Sequence, residues 1–125
     1  MTELIYKELN YKLVGLAYQI DNEIGSSLEE EIYSKAFEKL LLKDNIKYKK
    51  ELYCPIKIDG ETIAKRFLDF LVEDKIIVEI KVNNYRYKSV FTQLNEYLRL
   101  NNIKLGLIIR FSKDGVNIKR VLNIN

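Results

Sequence analysis

Phe67-Leu68-Asp69-Phe70-Leu71-Val72, then Glu73-Asp74-Lys75, then Ile76-Ile77-Val78-Glu79-Ile80-Lys81-Val82, is the stretch on which the fold turns. Its two outer segments are rich in branched and aromatic residues with no alternation of polar and apolar positions, the pattern of strands covered on both faces. Two central antiparallel strands joined by a short acidic turn are therefore expected. Three charged side chains interrupt the apolar runs, and Asp, Glu and Lys are almost never fully buried unless paired or metal-bound. With the turn at residues 73–75, residue 72 faces 76 and residue 69 faces 79, and opposed residues of an antiparallel pair project to one side. Asp69 and Glu79 then converge, and Lys81, two residues beyond Glu79, emerges on the same face. Two compensations are open. A salt bridge from Lys81 to Glu79 or Asp69 closes the cluster internally. Alternatively, a divalent cation relieves the repulsion between the carboxylates, and oxygen ligands favour Mg²⁺ or Mn²⁺.

Working outward, helical spacing of Leu9, Leu13, Leu16, Ala17, Ile20 and Ile24 predicts a first helix over residues 4–23 that stops at Gly25. Ser27 with Glu30 reads as a capping box opening a second helix, whose apolar face is Leu28, Ile32, Ala36, Phe37, Leu40 and Leu41. Residues 47–58 read as a strand, Asp59-Gly60 as a hairpin turn, and residues 62–72 and 76–82 as the next two strands. After a polar loop, Val90, Phe91, Leu94, Tyr97, Leu98 and Asn101 mark a third helix, followed by strands over residues 105–109 and 116–124. The predicted order is ααβββαββ.

Composition narrows the chemistry. A chain of 125 residues is one domain's length, and 47% hydrophobic with 31% charged residues is ordinary for a folded domain. No run approaches the roughly 18 apolar residues of a membrane helix, and no secretory signal is visible, so no membrane association and a cytoplasmic location are expected. Histidine is absent and Cys54 is the only cysteine, which removes the commonest general base, internal disulfides and cysteine zinc clusters. Charge is lopsided: residues 81–125 hold nine Lys and Arg against Glu96 and Asp114, net +7, which leaves −4 for residues 1–80. A basic second half suits an anionic partner, or is a solvated lysine-rich surface.

The run Asp69-Phe70-Leu71 with Glu79-Ile80-Lys81 resembles the D…ExK core of the PD-(D/E)xK nuclease superfamily, with Leu68 where the proline would stand. Ser27-Leu28-Glu29-Glu30-Glu31-Ile32-Tyr33 resembles the signature of the GxxExxY family, a small branch of that superfamily, with Ser27 in place of glycine. Gln93-Leu94-Asn95-Glu96-Tyr97 matches the QxxxY element of its exonuclease-like members, and the similarity runs over nearly the whole chain. The resemblance implies a single domain over residues 1–125 with a restriction-endonuclease-like α/β fold, a mixed sheet flanked by helices. It implies metal-dependent phosphodiester hydrolysis of nucleic acid, DNA ahead of RNA. Asp69, Glu79 and the Ile80 carbonyl would hold Mg²⁺ or Mn²⁺, and Lys81 would orient the attacking water. Glu30 would add a carboxylate, and Gln93 and Tyr97 would shape the rim.

Each role has a plainer rival. Glu30 is also the capping-box acid, Tyr33 and Tyr97 also fit core packing, and Gln93 also fits a solvated helix position. The loop Asn83-Asn84-Tyr85-Arg86-Tyr87-Lys88 after ExK interleaves aromatics with cations, as nucleic-acid-binding segments do, or is a solvated loop, and Arg110, Lys113, Lys119 and Arg120 extend the basic surface. The other functions in view are a non-catalytic nucleic-acid- or protein-binding module that keeps the nuclease fold, and a structural dimer subunit. A homodimer or a partner protein is accordingly a further expected partner.

Overall fold

A computed structural model describes residues 5–123. Helices α1 (Lys7–Ile24) and α2 (Glu30–Lys43) come first, followed by strands β1 (Tyr48–Tyr53), β2 (Ile56–Ile58), β3 (Glu61–Ala64), β4 (Phe67–Val72) and β5 (Ile76–Val82). Helix α3 (Tyr87–Leu100) then leads into β6 (Leu105–Ser112) and β7 (Gly115–Leu122). The main sheet has the order β1-β4-β5-β6-β7. Only β5 and β6 are parallel, with α3 as their crossover, and the other neighbours are antiparallel. The expected mixed sheet is present, with β4 and β5 inside it.

Burial explains the layering. Phe70, Val72, Val78 and Ile80 pack with Leu13, Ala17, Ile20, Phe37 and Leu41, so α1 and α2 cover one face. Leu71, Ile77, Ile108 and Val121 pack with Val90, Leu94 and Leu98, so α3 covers the other. Both faces are apolar because both carry a helical layer. Helix α3 sits close to the sheet over Gly106, where a Cβ would come within 2.9 Å of the Leu94 side chain. None of the described helices is long and apolar enough to cross a membrane.

Three expectations need correction. Residues 47–58 and 62–72 do not form one strand each. Pro55 supplies no N–H to a ladder, and the chain leaves the sheet at Cys54 and rejoins it at Phe67, with β2 and β3 forming a separate hairpin. The two exits stay joined by the Cys54 N–H donating to the Arg66 carbonyl at 2.7 Å. Nor is Ser27 a cap: it takes a left-handed φ of 70°, α2 starts at Glu30, and its N-cap residue Glu29 makes no side-chain capping bond. The Tyr33 hydroxyl ties the turn instead, donating to the Gly25 carbonyl at 2.6 Å and accepting from the Leu28 N–H at 3.4 Å. Finally, α1 begins at Lys7; the expected start at Leu4 and strand end at Ile124 lie outside the described residues.

Candidate metal centre

The β4–β5 ladder pairs Val72 with Ile76, Leu71 with Ile77 and Phe70 with Val78. One step further the side chains take over. The Asp69 N–H donates to Glu79 Oε1 at 2.9 Å, and the Ile80 N–H donates to Asp69 Oδ2 at 2.7 Å. Asp69 and Glu79 thus converge as their opposed positions require. Each also holds a backbone N–H of the facing strand. On the other side of β4, Glu51 lies between the pairs Lys50–Phe70 and Leu52–Leu68 and adopts a left-handed φ of 60°, so β1 is distorted at the same level. Nothing in the sequence around Glu51 marks that distortion.

Lys81 completes the cluster. Its Nζ lies 3.6 Å from Glu79 Oε2 and 4.0 Å from Glu30 Oε2. By register Lys81 belongs to the α3 face, yet it reaches the first residue of α2 on the other layer because β5 ends one residue later. The internal salt bridge anticipated as one alternative therefore exists. It is incomplete compensation, since one ammonium faces the three carboxylates of Glu30, Asp69 and Glu79. Electrostatics register the deficit. Burial, followed by the neighbouring Asp69, pushes the Glu79 carboxyl up to about 8 against the pull of Lys81. Burial also raises Asp69, opposed by the Ile80 amide and by Lys81, and raises Glu30. A carboxylate pair, Glu79 buried and Asp69 half-buried, short of positive charge is a donor set that a hard cation suits, because Mg²⁺ is commonly held by one or two carboxylates and keeps several waters. Among the described residues, no three His, Cys, Asp or Glu side chains form a ready metal-binding group, so Glu30 stands apart from the pair.

The remaining predicted site residues separate into two regions. Gln93 is 8% exposed, not solvated; its Oε1 is buried without a hydrogen-bond partner and its carbonyl accepts from Cys54 Sγ at 3.5 Å. Tyr97 packs at the edge of the α3 core and lines a depression with Cys54, Pro55 and Leu100. Burial raises the phenol of Tyr97, and Tyr33 is fully buried, stacked on Phe111 with centroids 4.3 Å apart. Core packing thus accounts for Tyr33, whereas Tyr97 is half-buried and faces the depression. Tyr85, Arg86 and Lys88 lie across the strand ends from Tyr97, at the start of α3. Arg86 is the N-cap residue without a side-chain capping bond, and it and Lys88 are exposed. Tyr85 instead lines a cavity of about 300 Å³ with Asn84, Tyr87, Arg110, Asn117 and Lys119. Tyr87, in the same aromatic–cationic alternation, lines that cavity with Tyr85.

A mixed sheet with helices on both faces, carrying Asp opposite Glu-x-Lys on its central strands, defines a restriction-endonuclease-like α/β domain. A sequence profile of the PD-(D/E)XK nuclease superfamily matches residues 7–121. The chain belongs to that superfamily, whose nucleases generally use divalent metal ions. Among solved structures, the crystal structure of SSO0001 is similar in fold, with 21% identity and a TM-score of 0.56. That similarity covers 94% of this chain and 58% of the other, so the chain spans little more than half of that protein's length. No curated protein matches the chain.

Proposed function

We propose that this domain hydrolyses phosphodiester bonds of nucleic acid, DNA ahead of RNA, with Mg²⁺ or Mn²⁺ held by Asp69, Glu79 and the Ile80 carbonyl. We assign it to the GxxExxY branch of the superfamily and to the cytoplasm. The observation that carries the reading is the Asp69–Glu79 pair, converging from two facing strands with Glu79 buried, Asp69 half-buried and too little positive charge beside them. A bound cation would polarise the phosphoryl oxygen and lower the pKa of an attacking water.

The chain's own residues supply the rest. Asp69 and Glu79 are oriented by the backbone amides they accept from, so their remaining oxygens stay aimed without a rotamer search. Lys81 offers a fixed ammonium beside them, suited to orient water and to offset charge as water oxygen bonds phosphorus and the ester oxygen leaves, taking a proton. Glu30 holds Lys81 from the far side. The buried Gln93 acts as a support for the α3 face of the site.

The test is nuclease assay on single- and double-stranded substrates with Mg²⁺ or Mn²⁺. Lys81→Ala should lower turnover by about 10²- to 10⁴-fold, the usual worth of a positioned proton-transfer or charge-stabilising group. Metal-dependent cleavage that survives Lys81→Ala and Asp69→Asn unchanged would remove this site as its source. Binding of nucleic acid with no turnover under any of these conditions would put the non-catalytic module in front.

A further inference from the structure

Across the α3 face of the sheet, the register continues from the carboxylate cluster to the basic cavity. Glu79 pairs with Ile108 and Ile108 with Lys119; one level further out, Lys81 pairs with Arg110 and Arg110 with Asn117. Residues paired in register project to the same side, and neighbouring strands lie about 4.8 Å apart. Arg110 is thus the immediate neighbour of Lys81, and Lys119 lies two strands, about 10 Å, from Glu79. The cavity of about 300 Å³ is lined by Asn84, Tyr85, Tyr87, Arg110, Asn117 and Lys119. It sits at the carboxyl ends of the parallel strands β5 and β6, where open α/β sheets bind ligands.

Its lining combines three properties. Lys119 is held with Nζ 4.1 Å from the centre of the Tyr87 ring, so its ammonium is kept against the cavity wall. Arg110 donates only a long bond of 3.4 Å, to the Asn83 carbonyl, and neither cation has an acidic partner among the described residues. Tyr85 and Tyr87 meet edge-on with centroids 6.4 Å apart, and the Tyr85 hydroxyl is buried with no hydrogen-bond partner. Unpaired cations, aromatic rings and an orphaned hydroxyl are what a phosphate with a base attached would satisfy.

We propose that this cavity is a subsite for one unpaired nucleotide of the strand being cut, its phosphate held by Arg110 and Lys119 and its base packed against Tyr85 and Tyr87. The inference rests on the nuclease reading above and adds a substrate preference to it. Ten ångströms is about three stacked nucleotides at ~3.4 Å each, and fewer when the strand is extended. The strand engaged at Lys81 therefore enters the cavity within a few nucleotides of the scissile bond. A base paired in a duplex has both its faces stacked and cannot lie against the tyrosines, so single strands and frayed ends are the preferred substrates.

Fluorescence anisotropy of the full chain with a labelled oligo-dT and a blunt duplex of equal length, in EDTA, tests the subsite without any cleavage. The wild type should prefer the single strand. Lys119→Gln and Arg110→Gln should each weaken that binding and make its log-salt slope shallower by about one contact. Tyr87→Leu should weaken it by about 5- to 100-fold and Tyr87→Phe far less, because stacking needs the ring and not the hydroxyl. No preference for the single strand, or Lys119→Gln and Tyr87→Leu variants that fold and bind like wild type, would overturn the proposal. Cleavage that requires Lys81 but ignores the cavity variants would sink the subsite and leave the nuclease reading standing. Cavity-dependent single-strand binding in a protein that cleaves nothing would do the reverse.

Discussion

Glu79 carries the largest consequence of the site at the scale of one residue. In the metal-free protein its carboxyl lies well above the usual carboxylate range, because burial and Asp69 disfavour its charge. The folded state therefore holds a proton that the unfolded state releases near pH 4.5. Glu79's contribution to stability should be fully present below about pH 4.5, fall as pH rises, and level off once Glu79 ionises in the folded state near pH 8. Glu79→Gln cannot ionise and should lose this dependence, becoming the more stable protein at pH 8 to 9 in EDTA. Urea denaturation of both proteins from pH 5 to 9 reads the difference, and parallel curves would contradict the buried-charge account. Proton and cation compete for the same oxygens, so Mn²⁺ affinity should rise with pH over the same window.

Among the secondary-structure elements, the positioning of α3 is the critical one, since it roofs the carboxylates and starts at the basic cavity. Its close seat over Gly106 leaves no room for a methyl group: Leu94 is fully buried and cannot step aside. Gly106→Ala should cost about 1–3 kcal/mol, the usual cost of overpacking, measurable by thermal unfolding. At the other layer, Tyr33→Phe keeps the stack on Phe111 but leaves the Gly25 carbonyl without its donor. A loss of about 0.5–1.5 kcal/mol is expected by the same measurement. An unchanged stability would mean that the turn between α1 and α2 is held by packing alone.

For the molecule as a whole, a cation that binds only the folded state couples to global stability. At a concentration a hundred times its dissociation constant, Mn²⁺ should add about 2.7 kcal/mol. For a domain of this size that raises the melting temperature by several degrees. Asp69→Asn should abolish the rise, and adding EDTA to the wild type should reverse it. A melting temperature indifferent to Mn²⁺ in the wild type would argue that Lys81 and the surrounding amides satisfy the carboxylates on their own. The charge asymmetry acts at this scale too: Arg86→Ala with Lys88→Ala should weaken nucleic-acid binding at low salt and flatten its salt dependence by up to about two contacts.

Much of this was written in the chain's local pattern. The both-sided apolar runs around residues 67–82 identify central strands, and the three-residue turn sets the register that brings Asp69 opposite Glu79. The D…ExK and QxxxY spacings identify the superfamily, which the match over residues 7–121 bears out. Local pattern fails where two candidate interactions compete for one group. Ser27 and Glu30 have the spacing of a capping box, yet the turn is closed by Tyr33, so the backbone at Ser27 goes left-handed and α2 starts later. Pro55 announces a break, but that the departing chain becomes a separate hairpin depends on where β4 finds its partner. The carboxylates' amide partners, the reach of Lys81 to Glu30 and the meeting of Tyr87 with Lys119 were decided only by folding. Each joins residues from different elements, and strand order and layer packing, which no short window of sequence contains, place them together.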